Sequence, residues 1–319
     1  MRKLEDFLYP TQGELFKLIR RMYGRDAVSR KGKYILVRGE APVMLLAHMD
    51  TVHKTPVKHI CKSEDGNILM SPEGIGGDDR CGVYALVSVR RLAGKSPWLL
   101  FTCDEETGGK GADSFADDFA AKRLPKALRS LKMLIEIDRK GKNDAVYYDC
   151  ANPDFEDYIT DKGFAADYGS FSDISLIAPA MGVAAVNLSS GYYNAHTTHE
   201  YINLSELKAT IKKVVEIVEE SCAPDFPAFE YIEAPRLRKR WDEFSWDFSL
   251  HGGHDLPAPH DLSEEYAECY DDLLDFYTAE ELEELREAYG DRVILDLWDS
   301  EIGSYEQYTF PEYDYKSCG

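Results

Sequence analysis

Val43, Met44, Leu45, Leu46 and Ala47 form an unbroken apolar run, five residues long. Successive side chains of a strand point to opposite faces, so a strand without polar alternation must be covered on both sides. Further strand-like runs are read at 34–37, 98–102, 133–137, 145–148 and 183–188, and a turn at Ser63–Gly66 separates 57–61 from 67–70 as a hairpin. Helical spacing recurs at 14–20, 81–92, 172–178 and 204–219. Strands alternating with helices, with central strands buried on both faces, predict an α/β fold: a three-layer α/β/α sandwich around a mostly parallel central sheet.

The charge of −21 is unevenly placed. Residues 222–319 carry 26 acidic and 7 basic side chains, net −19, which leaves 32 and 30, net −2, for residues 1–221. A near-neutral globular domain at 1–221 is expected, followed by an acidic, aromatic-rich appendage at 222–319 with the prolines Pro224 and Pro227 at the junction. Three of the four tryptophans lie in that appendage, and so does a candidate helix at 279–289, so folding or docking is expected rather than disorder. Its histidines, His251, His254 and His260, sit in a Gly/Pro loop and read as solvated. Neither part has the basic footprint of a nucleic-acid binder. No run of about 18 apolar residues suggests a membrane span, and no signal peptide is readable. Seven cysteines without CxxC spacing read as free thiols, which points to the cytoplasm.

Five motifs follow strand-like runs in order. His48-Met49-Asp50-Thr51-Val52 places a histidine at the carboxyl end of the apolar run, where open α/β sheets bind ligands, and Asp50 can orient its ring. Gly76-Gly77-Asp78-Asp79-Arg80-Cys81-Gly82 opens a helix. Taken alone, its acids are explained by capping. Asp104-Glu105-Glu106 places three acids directly after a buried strand, an arrangement that suits either a solvated turn or a bound cation. Glu136-Ile137-Asp138-Arg139 ends another strand, and His196-Thr197-Thr198-His199-Glu200 offers two histidines, either of which suits a metal. Each motif has an ordinary explanation alone. Together they supply the mixed nitrogen and oxygen donors that a zinc pair takes.

Their order and wording resemble the co-catalytic dinuclear zinc peptidase superfamily of the carboxypeptidase G, tripeptidase T and bacterial leucyl aminopeptidase type, over residues 43–221. The resemblance implies the zinc-exopeptidase (phosphorylase/hydrolase-like) fold and two divalent metal ions, zinc first, with cobalt or manganese as the other candidates. It implies His48 and Asp138 on one metal, Glu106 and His196 on the other, and Asp78 bridging them. His196 is preferred to His199 because Glu200 follows it by the four positions that relatives keep. Glu105 takes the general-base role, and Asp50 orients His48. A cis peptide between Asp78 and Asp79 is likewise implied, and Ser172-Asp173 resembles a Ser/Thr-Asp pair upstream of the last histidine.

The segment 139–195 is too short to hold the lid domain many relatives insert, so a compact form is expected. Tyr192, Tyr193, Asn194 and Arg139 are unranked candidates for the oxyanion donor. The activity implied is exopeptidase-like hydrolysis of short peptides. The alternatives are hydrolysis of N-acyl amino acids and a catalytically idle binding protein, and Glu105 argues against idleness. A peptide or acyl-amino-acid substrate is expected, with no nucleic-acid or membrane partner; the oligomeric state and the peptide end that is read stay open.

Overall fold

The computed structural model describes residues 2–234 and, beyond them, only Leu273, Leu282, Glu283 and Arg286. The chain divides into two units, Met1–Ala234 and Pro235–Gly319. In the second, Leu273, Leu282, Glu283 and Arg286 are helical, Leu273 and Leu282 are buried, and Arg286 pairs with Glu283 at 2.5 Å. The appendage's tryptophans, its three histidines, Cys269 and Cys318 lie outside the described residues, as does most of the candidate helix at 279–289.

In chain order the first unit holds α1 (Glu5–Leu8), α2 (Gln12–Tyr23), β1 (Ala27–Arg30), β2 (Tyr34–Val37), β3 (Val43–His48), β4 (Cys61–Lys62), β5 (Ile68–Met70) and α3 (Gly77–Leu92). Then come β6 (Trp98–Thr102), α4 (Lys110–Ala120), β7 (Met133–Arg139), β8 (Asp144–Val146), α5 (Pro153–Asp161) and β9 (Ala165–Ala166). The unit continues with α6 (Asp173–Met181), β10 (Ala185–Ser189), β11 (Tyr192–Tyr193), β12 (Tyr201–Asn203) and α7 (Leu204–Ser221). Eight strands form one sheet in the order β1-β2-β6-β3-β7-β10-β8-β9, and its centre, β6-β3-β7-β10, is wholly parallel. Four short strands make a separate antiparallel sheet, β11-β12-β5-β4.

The apolar runs dictate this layering. Val43, Leu45 and Ala47 of β3 belong to the core cluster on one face, and Met44 and Leu46 to the cluster on the other. β6 splits the same way, with Leu99 and Phe101 against Trp98 and Leu100. On the first face lie Leu86 and Val89 of α3 with Leu207, Val214 and Ile217 of α7; on the second lie Phe115 and Phe119 of α4 with Ile174 and Ile177 of α6. The expected three-layer α/β architecture is the one observed.

Two helices and several short strands lack a strong sequence signal. α4 begins among Gly109, Lys110 and Gly111, and α5 is nine residues long behind an Asn152 cap that accepts from the Phe155 N–H. The hairpin expected at 57–61 and 67–70 is reduced to the pairing of β4 with β5.

The first unit runs on to Ala234, past the junction expected at Cys222. Phe226 and Phe229 explain why: Phe229 lies 5.0 Å from Phe155 ring to ring, and its N–H donates to the Lys132 carbonyl. The five described cysteines, Cys61, Cys81, Cys103, Cys150 and Cys222, are free thiols. Among the described residues, no helix is long and apolar enough to cross a membrane.

Candidate metal centre

The carboxyl ends of the parallel strands converge on one place. His48 ends β3, Asp78 stands at the start of α3, Glu105 and Glu106 follow β6, Asp138 lies near the end of β7, and His196 sits between β11 and β12. The connections that follow parallel strands all emerge at the same edge of a sheet, so residues far apart in sequence meet there.

Asp78 is the hinge of the arrangement. Its Oδ1 lies 3.1 Å from His48 Nε2, and its Oδ2 lies 3.2 Å from His196 Nε2. His48 Nε2 is also 3.6 Å from Asp138 Oδ1, and His196 Nε2 is 3.2 Å from Glu106 Oε2. Two three-residue groups result, His48–Asp78–Asp138 and Asp78–Glu106–His196, each with ligand atoms within 4.8 Å of one another. Glu105 Oε2 stands 4.0 Å from His48 Nε2, and His48, Glu105 and Glu106 form a third such group. The exposed His199 belongs to none of these groups.

Local structure aims each side chain. The Asp78–Asp79 peptide is cis, as the resemblance implied. Both residues have non-helical backbone angles, and the regular helix starts after them. Asp79 Oδ1 accepts from the Gly82 N–H at 2.9 Å, so Asp79 does the capping while Asp78 is left for the cluster. A side chain at position 82 would collide with the Ile137 carbonyl, so glycine there lets α3 close on β7. Asp104, Asn194 and His196 adopt positive φ (60°, 56° and 64°), a conformation that aspartate, asparagine and histidine tolerate better than most side chains.

Asp50 faces the other ring nitrogen, with Oδ1 3.4 Å from His48 Nδ1. This is an ion-pair distance and too loose for a hydrogen bond, and Nδ1 has no other partner. Asp50 also accepts the backbone N–H groups of Glu105 at 3.1 Å and Glu106 at 3.0 Å. One carboxylate thus fixes both the histidine and the acidic turn. Glu200, fully buried, does the same for Asp78: it accepts the N–H of Asp78 and of Gly76 and contacts His53 Nε2, all at 2.9 Å. The tie between Glu200 and Asp78 bridges 122 positions, and neither Glu200 nor His53 shows this role in the local sequence. The four-residue offset from His196 is the one signal that marks Glu200.

Of the candidate oxyanion donors, Tyr192 donates its hydroxyl to the Asp138 carbonyl at 2.9 Å, and Tyr193 donates to Glu206 at 2.7 Å. Asn194 reaches the His199 carbonyl at 3.4 Å. Arg139 pairs with Asp167 at 2.5 Å and keeps an Nε without a hydrogen-bond partner. Behind the site, Ser172 bonds Glu136 and Thr102 bonds Asp173, which makes that Ser-Asp pair a buried support.

The electrostatics call for cations. Burial, reinforced by Asp138, Asp173 and Glu106, raises the Glu105 carboxyl to about 9. Burial beside Asp78 raises Asp138 to about 7, and buried Asp79 and Glu136 are pushed well above the usual range. Burial also works against the Asp78 carboxylate, but hydrogen bonds from His196 and His48 outweigh it and hold Asp78 well below the usual range. Hydrogen bonds to Asp78 and Glu106 raise His196 to about 11. His48 is raised as well, because Asp138, Asp50 and Asp78 overcome its burial. So many acids in so little space hold protons unless positive charge is supplied. Glu106 Oε1 is buried with no hydrogen-bond partner. The histidine and carboxylate donors, the shared Asp78 and this orphaned oxygen fit divalent cations.

No family model matches the sequence, and neither does any curated protein. Solved structures match its fold. The aminopeptidase PepT of Bacillus cereus aligns with a TM-score of 0.53 at 15% identity, covering 69% of this chain and 98% of that one. The TET aminopeptidase of a marine sediment thaumarchaeote aligns at 0.52 and 12% identity, covering 68% and 96%. A tripeptidase of Staphylococcus aureus aligns at 0.50 and 15% identity, again covering 68% and 96%. The first unit therefore has the α/β fold seen in these peptidases.

Proposed function

We propose that this chain is a metal-dependent exopeptidase that hydrolyses the amide bonds of short peptides with two divalent ions, zinc foremost. The observation that carries this reading is the sharing of Asp78, one oxygen toward His48 and the other toward His196, which makes two ligand groups with a common carboxylate. His48 and Asp138 would hold one ion, Glu106 and His196 the other, with Asp78 between them. Bound there, the ions would supply Lewis-acid charge to polarise the scissile carbonyl and lower the pKa of a water.

The protein's own groups do the rest. Glu105, with Oε2 4.0 Å from His48 Nε2 beside the ligand groups, takes the proton of the water and returns it to the leaving amine. Asp50 keeps His48 oriented and holds the Glu105–Glu106 turn by its backbone. Tyr192 steadies Asp138 through its carbonyl. The fold of the PepT and TET aminopeptidases supports peptides as substrates.

The test is hydrolysis of a panel of dipeptides, tripeptides and N-acyl amino acids by the zinc- or cobalt-loaded full chain. Peptide turnover that disappears in Asp78→Ala is the expected result. Metal-loaded protein that turns over none of the peptides refutes the reading, and cleavage confined to N-acyl amino acids moves the substrate class.

A further inference from the structure

A cavity of about 270 Å³ shares Asp50 with the metal centre: Asp50 lines it, and the same carboxylate lies 3.4 Å from His48 Nδ1. Leu8, Pro10 and Gln12, the loop through Thr51, Lys54 and Thr55, and the Gly74–Gly76 turn line it. Arg80 lines it and is only 4% exposed.

The surroundings of Arg80 are unusual for a buried cation. Its Nη1 donates to the carbonyls of Phe7 and Pro10, both at 2.7 Å, while its Nε is buried with no hydrogen-bond partner. Asp50 and Asp79 act on the guanidinium through space, and among the described residues no carboxylate bonds to it. A buried guanidinium ordinarily has a carboxylate or phosphate against it, because neutral carbonyls do not replace the lost hydration of the charge. Fastening the segment between α1 and α2 would need only the Nη1 bonds, so that structural role leaves the rest of the fork unexplained.

The lining carries a second cation, Lys54, and one acid, Asp50. Asp50 is already bonded to the N–H groups of Glu105 and Glu106. Two cations against one carboxylate leave a net charge of about +1, which complements a monoanion. With Nη1 bonded to two carbonyls and Nε enclosed, Nη2 is the guanidinium nitrogen left to meet a carboxylate oxygen, and Thr51 and Thr55 line the same cavity.

We infer that the cavity bounded by Arg80, Lys54, Thr51 and Asp50 is a binding site for a small carboxylate monoanion, separate from the metal centre. Its occupant sits beside the carboxylate that orients His48, so occupancy has a direct electrostatic route to the metal ligands.

Acetate titration of the full chain by calorimetry, at constant ionic strength, tests this. Acetate also reaches metal ions, so each titration is run on metal-loaded and on chelated protein. The expected result is one saturable site that survives chelation. It should weaken by about tenfold or more in Arg80→Met, and measurably in Lys54→Glu, where a cation at the cavity becomes an anion. Phosphate, largely a dianion above pH 7, should bind more weakly than acetate. Should Arg80→Met fail to fold, Lys54→Glu and Thr55→Trp, which narrows the cavity, decide the matter. No saturable acetate site in the wild type, acetate binding unchanged in the folded variants, or phosphate binding tighter than acetate overturns the inference.

Discussion

The Glu200 carboxylate accepts the backbone N–H of Asp78 at 2.9 Å, and so ties the loop that carries His196 to the residue shared by both halves of the cluster. The same carboxylate serves Gly76 and His53, and it is fully buried. Glu200→Ala leaves these donors without an acceptor. Leaving a buried donor unsatisfied costs about 1–3 kcal/mol, so a loss of at least that size is expected. Denaturant unfolding should show it, together with weaker metal binding. Unfolding and metal affinity equal to the wild type would remove Glu200 from the positioning scheme.

Metal stoichiometry follows from the sharing of Asp78. On the proposed reading, wild-type protein loaded with zinc should hold about two ions per chain, one for each of the two joined groups. Asp78→Ala touches both groups and should lower the affinity for both ions, whereas Glu106→Ala should spare the group formed by His48, Asp78 and Asp138. Elemental analysis after dialysis distinguishes these outcomes.

Glu105 carries the proton in the proposed reaction. Glu105→Gln keeps its shape and leaves the ligand groups His48–Asp78–Asp138 and Asp78–Glu106–His196 untouched. Metal content should stay unchanged while kcat falls by roughly 10²–10⁴. Turnover near the wild-type value with metals bound would assign the proton to another group.

Metal loading should compete with protons. Asp138 is raised to about 7 by burial and by Asp78, so below that pH the metal-free site holds a proton that a cation must displace. Affinity should therefore fall as pH drops through about 7, with protons released on binding. The raised His196 has the matching sign. Its ion pair with Asp78 and Glu106 supports the metal-free fold fully below the ordinary histidine range and is lost as pH rises through about 11. Calorimetry in buffers of different ionisation enthalpy measures the released protons directly.

Much of the fold was legible because its signals are local. Residues 43–47 admit no solvent face, and the structure places Leu45 and Leu46 in opposite core clusters. Short elements were not legible. β4 is two residues long, and β11 and β12 gain their identity only by pairing with each other and with β5. The segment 222–234 reads as a junction because of its prolines and charge. Tertiary contacts place it with the first unit: Phe229 packs on Phe155, and Glu230 and Glu233 bridge to Val183 and Cys150.

The site divides in the same way. His48, Asp78, Glu106 and Asp138 each stand beside a strand or helix boundary that the chain announces locally, so their candidacy needs no tertiary information. The sequence by itself determined which side chains arrive at the carboxyl edge of the sheet. What surrounds them was decided by tertiary structure alone: Glu200 beneath Asp78, His53 against Glu200, and Arg80 buried without a carboxylate partner. The physical reason is distance along the chain. Hydrogen bonds that join residues more than 100 positions apart leave no periodicity, and the burial that sets the charge state of Glu105 and Asp138 exists only once the layers have closed.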